Sequence, residues 1–190
     1  MNIKVAAVVS GLLLAFSCTA QNGREIDTAN SKLTVFAFKT GLFSFAAHDH
    51  EINAPITAGR IDDSGKSPRV TFRVNAREMN VLDPKASEKD RAEIQRDMQA
   101  KVLESEQYPT IEFTSTTITQ TSPDHWTVVG DLTLHGKTRP ITVAVEESNG
   151  KYTGSTKLKQ TDFGITPIAV AGGTVKVKDE LKIEFAIKTK

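Results

Sequence analysis

Apolar and polar residues alternate most regularly between Tyr108 and Pro140, where two runs meet across a short polar turn. In the first, Ile111, Phe113 and Ser115 share one face and Thr110, Glu112, Thr114 and Thr116 the other, the period of two that marks a half-buried strand. In the second, Trp126, Val128, Gly130, Leu132 and Leu134 alternate with Thr127, Val129, Asp131, Thr133 and His135. Ser122-Pro123-Asp124 supplies turn chemistry between them, so the pair reads as a hairpin.

The same period recurs on both sides. Leu33 to Phe38 opens a strand, Leu42 to Ala47 is a second apolar segment, and Ile52 to Asp62 reads as a strand interrupted by Pro55. Val70, Phe72 and Val74 alternate with Arg69, Thr71, Arg73 and Asn75; later Ile141, Val143 and Val145 do the same, and Asn149-Gly150 marks a type I′ turn into a strand from Tyr152 to Gln160. The loop after Phe163 is expected to cover a barrel mouth, with Asp162 capping backbone amides and Gly164 at an unusual φ. The last strand runs from Val175 to Ile187 and meets a turn or bulge at Asp179-Glu180. Between 87 and 104 the period changes: Ile94, Met98 and Val102 lie four apart among charged residues, one apolar stripe of a helix that Ser87 caps. The pattern therefore predicts an all-β fold of about eight antiparallel strands, the number at which a closed barrel just holds one small ligand, with one α-helix, about 87–104, suited to lie across one end.

Composition adds a boundary. A chain of 190 residues with 38% hydrophobic and 25% charged residues suits one globular domain, and 24 basic against 23 acidic residues leave no basic stripe for nucleic acid. Residues 1–20 read as an export signal, with Lys4 ahead of an apolar run too short to span a bilayer. Two cleavage readings stay open: removal after Ala20, or a lipoprotein signal 1–17 that leaves Cys18 lipidated and tied to the membrane. Residues 21–31 read as a polar tether and 32–190 as the barrel domain. The expected location is the periplasm, or the outer membrane through the anchor. Cys18 is the single cysteine, so no disulfide forms within the domain.

Tyr108-Pro109-Thr110-Ile111-Glu112-Phe113-Thr114-Ser115, then Gly130-Asp131-Leu132-Thr133-Leu134-His135-Gly136-Lys137-Thr138-Arg139-Pro140, resemble the signature of the YceI-like, polyisoprenoid-binding family. The helix before Tyr108, the stretch Thr161-Asp162-Phe163-Gly164-Ile165 and the alternating last strand extend the resemblance over nearly all of the chain after the leader. It implies a lipocalin-like barrel that holds an isoprenoid-type lipid, polyprenyl or quinone-like, with no other cofactor. Expected cavity-lining residues are Phe72, Val74, Phe113, Trp126, Val128, Val143, Phe163, Ile183 and Phe185. A homodimer is compatible with this reading.

Two rivals remain at this stage. Alternation alone is equally that of a filled barrel, a ligand-free envelope protein. His48 and His50 lie two apart and share a face, so a metal-binding barrel or small enzyme that uses them, with His135 or Glu112 completing the site, is the second; alternatively His48, His50 and His135 stand at the barrel mouth and meet a polar headgroup. No G-x-S-x-G, H-E-x-x-H, glycine-rich phosphate loop or dinucleotide fingerprint occurs, so a binding role rather than catalysis is expected.

Overall fold

β-branched and aromatic residues fill the alternating runs, and in the computed structural model these runs become strands. The structure describes residues 23–41, 49–63, 67–170 and 174–190. In chain order these are β1 (Arg24–Glu25), β2 (Lys32–Thr40), β3 (His50–Asn53), β4 (Ile56–Asp62), β5 (Arg69–Asn75), β6 (Asn80–Val81), the helix α1 (Glu88–Asp97), β7 (Thr110–Ser122), β8 (His125–Leu134), β9 (Lys137–Ser148), β10 (Lys151–Lys159), β11 (Ala169–Val170) and β12 (Val175–Lys188). Every pairing is antiparallel, along the order β1-β4-β5-β7-β8-β9-β10-β12-β2-β3-β6, with β11 added on β12.

The chain itself joins the two ends of that order. β3 pairs with β2 and β4 pairs with β5, yet only Ala54 and Pro55 separate them. Proline cannot donate to a ladder, so the strand changes partner where its amide is missing. A second seam lies at the other end: Ile26 donates to the Gly59 carbonyl and bridges Thr189, so the segment after β1 spans from β4 to β12. The result is a curled antiparallel barrel. Among the described residues it has twelve strand segments rather than eight, because the strand from His50 to Asp62 is broken in two and three two-residue strands, β1, β6 and β11, are added.

Three other expectations are corrected. The polar tether of 21–31 does not extend that far, since residues from Arg24 onward are paired into the sheet. The helix is α-helical only over Glu88–Asp97 and continues as a π-helical turn over Met98–Val102, where the Leu103 amide reaches back to the Met98 carbonyl. Ser87 caps it through the Asp90 amide, as the sequence predicts. At the turn after β10, it is Asp179 that takes the amide and hydroxyl of Thr161, which hold its carboxyl below the ordinary range; Asp162 offers only its carbonyl, to Arg139. Asp179 stands in the irregularity between Val177 and Leu181, and Gly164 takes a φ of 75°. The apolar segment 42–47 and residues 1–20, the expected export signal, lie outside the described residues.

Candidate functional site

The inward faces of the strands enclose a lumen of about 1010 Å³, at the upper end of the usual range for ligand pockets. Its walls are aliphatic and aromatic almost throughout. Phe72 and Phe113 stack with ring centroids 5.3 Å apart, and Ile94, Met98 and Val102 close one end with the apolar stripe of α1 and its π-helical turn. Gln95 donates to the Met79 carbonyl and accepts from the Val81 amide, and Gln99 donates to the carbonyls of Ala76 and Met79, so two side-chain amides seat the helix on the segment 76–81.

Of the expected lining residues, Phe72, Val74, Phe113, Trp126, Val128, Val143, Ile183 and Phe185 face this lumen. Phe163 does not. It lies in the short 3-10 turn Gln160–Phe163, where the strand alternation has ended, and its side chain is packed in the core at 1% exposure. Ile118 and Gln120 join the lining although simple alternation from Ile111 places them outside, because a register shift between Ser115 and Thr117 reverses the faces of β7. No residue at Thr116 announces that shift in the sequence.

Polar groups are few along the wall, where Thr156 and Gln160 stand among apolar neighbours, and the charged ones cluster toward the ends. Lys39, His50 and Lys176 line one end together with Asp90, Glu93 and Asp97 of α1, and Asp62, Asp63, Gln120 and Tyr152 stand at the other. Asp97 is paired with Lys101, and Asp63 with Arg24. Arg24 also donates to the Tyr152 hydroxyl at 2.6 Å and to Thr189 at 3.2 Å, which ties the N-terminal seam across three strands.

The histidines separate. His50 lines the lumen, with Nδ1 2.6 Å from Oδ2 of Asp83, whose other oxygen accepts the Glu51 amide at 2.7 Å. Asp83 is a buried carboxylate, its side chain only 2% exposed. Sequence reasoning missed it, since nothing in Leu82-Asp83-Pro84 links it to a histidine 33 positions earlier. His135, expected at the mouth, does not line the lumen: its Nε2 pairs with Glu104 at 2.6 Å and its ring packs on Tyr108 with centroids 4.2 Å apart. Glu104 and His135 both adopt positive φ, 43° and 51°, so the pair clamps two strained backbone positions together. Glu112 is engaged by Arg73. Neither expected third ligand is thus a partner of His50, and among the described residues no group of three or more His, Cys, Asp or Glu is arranged to hold a metal. His48 and Cys18 lie outside the described residues.

Comparison with known proteins places this geometry. A UPF0312 protein of Vibrio vulnificus is 30% identical over 115 residues, 55% of this chain and 59% of that protein, so the chain matches somewhat over half the length of such relatives. The crystal structure of Burkholderia cenocepacia BcnA superposes with a TM-score of 0.64 at 20% identity, covering 85% of this chain and 98% of that one. A polyisoprenoid-binding domain from Saccharophagus degradans superposes with a TM-score of 0.59 at 13% identity, covering 88% and 97%. At those identities the two structures establish the fold, and the YceI-like domain profile matches residues 25–189. Its extent, nearly the whole described barrel, makes this chain a member of the YceI-like domain family.

Proposed function

We propose that the barrel binds an isoprenoid-type lipid along its lumen and serves as a binding or carrier protein of the bacterial envelope. The observation that carries this is the lumen itself: about 1010 Å³ bounded mostly by apolar side chains, with charged groups only toward its ends. A ligand there must be apolar along its length and is allowed a polar terminus. A prenyl chain has that form, and the similarity to a domain described as polyisoprenoid-binding supports it. At ~0.8 kcal/mol per buried CH₂, a five-carbon unit yields about 3–4 kcal/mol gross, so several units exceed the ~4–15 kcal/mol cost of association. Export rests on the charged and apolar pattern of Met1 to Ala20, and anchoring on lipidation of Cys18.

The test is native mass spectrometry of the full chain, expressed in a bacterial host and purified without harsh detergent, followed by organic extraction. The expected result is a prenyl lipid near one per chain, lost from Val128→Trp and Ala37→Trp variants that fill the lumen but keep a cooperative melt. A bare protein that also fails to take up added geranylgeraniol overturns the reading.

A further inference from the structure

We propose that His50 and Asp83 form a headgroup anchor at the α1 end of the lumen, built for a neutral lipid whose terminus donates an O–H. The inference rests on the lumen-binding reading and adds the chemistry of the ligand's polar end.

The argument begins at Asp83. A buried carboxylate needs donors for both oxygens, and here Oδ1 receives the Glu51 amide while Oδ2 faces His50 Nδ1. An ionised carboxylate has no proton to give, so Nδ1 carries the hydrogen of that contact. In the neutral imidazole the second nitrogen, Nε2, is then a lone-pair acceptor. His50 lines the lumen, so the group offered to a ligand is a hydrogen-bond acceptor held in one tautomer by a carboxylate that is itself fixed by backbone. Its complement is a donor: the hydroxyl of a prenyl alcohol or of a prenylated hydroquinone. An ether has no proton for it, and a quinone carbonyl presents a second lone pair.

Charge points the same way. At the α1 end the described lining holds three carboxylates, Asp90, Glu93 and Asp97, against the ammonium groups of Lys39 and Lys176; counting Lys101 on Asp97, and Asp83 with Arg91 beside it, gives four of each, so no cation is in surplus. Arg91, on the helix that carries three of those carboxylates, donates to the Asp83 carbonyl, which sets α1 beside the anchor. A diphosphate headgroup requires a surplus of cationic donors. None is arranged here among the described residues.

The experiment compares geranylgeraniol, its methyl ether and geranylgeranyl diphosphate on the full chain at about pH 8, with a prenyl hydroquinone and its quinone as a second pair. The alcohol is expected to bind about fivefold to tenfold more tightly than the ether, the scale of one hydrogen bond, and the diphosphate more weakly than the alcohol. In the double variant His50→Leu, Asp83→Asn, which leaves no buried charge unpaired, the alcohol-to-ether ratio falls to about one while ether affinity holds. Independently of any variant, the ¹⁵N shift of His50 Nε2 moves on adding the alcohol and not the ether. The tighter of alcohol and hydroquinone identifies the headgroup. Equal affinity for alcohol and ether, or preference for the diphosphate, removes the anchor alone; failure of every probe to bind removes the lumen reading and the anchor with it.

Discussion

Gly154 stands opposite Phe185 across the β10–β12 pair, and a side chain at that glycine would meet the Phe185 ring and the Ala144 carbonyl oxygen. The same arrangement recurs where Gly130 faces the ring of Phe113. Each ring lies in space that a missing Cβ provides, so large aromatics coat the wall without blocking the bore. This is a residue-scale reason why the lumen stays open. Gly154→Ala is expected to cost about 1–3 kcal/mol through overpacking, read as a lower urea midpoint at unchanged slope. It also drives Phe185 inward, so the lumen shrinks and prenyl affinity falls with stability. A variant as stable as the parent would mean that the strand adjusts freely at Gly154 and that the ring does not depend on it.

The helix shows how one element serves both fold and site. Its solvent face is so polar that packing alone gives it a narrow hold, the stripe of Ile94, Met98 and Val102 on the lumen. The remaining hold is local: Ser87 at the N-terminus and the two glutamines on the carbonyls and amide of 76–81. Ser87→Ala is expected to cost about 1 kcal/mol and to act on this element first. Hydrogen exchange should quicken across Glu88–Asp97 while the amides of β7 and β8 keep their protection, and lipid exchange should quicken with it if α1 is the lid. The helix was legible in the sequence because spacing of four and a capping serine are both local signals. Its π-helical continuation was not, since the same three apolar positions satisfy either winding. The anchor histidine was visible and its carboxylate partner was not, for the reason that long-range pairing leaves no local mark.

At the scale of the molecule, alternation told which residues face inward along most strands but not that the inside is hollow, because a filled core and a lined lumen require the same period of two. Nor did it tell how the sheet closes. The segment before β2 carries Ile26 as its one large apolar residue among polar neighbours, and it read as a tether for that reason. In the fold Ile26 is 2% exposed, its amide on Gly59, its backbone bridged to Thr189 and its side chain over the bare face of Gly59. Asp27 adds a bond to the Lys188 carbonyl and Lys190 one to that of Glu25, so this short stretch is the seam between β4 and β12. Ile26→Ala is expected to cost about 2–5 kcal/mol, the range for emptying a buried aliphatic site. Arg24→Ala, which removes half-exposed polar contacts of the same seam, should cost about 1 kcal/mol or less. Denaturant unfolding gives both numbers, and stopped-flow release of a fluorescent prenyl probe gives their consequence. If the seam seals the end opposite α1, Ile26→Ala releases the probe faster in proportion to its loss of stability, whereas a large loss of stability with unchanged release would assign the seam to holding the barrel together and leave passage of the lipid to the helix end.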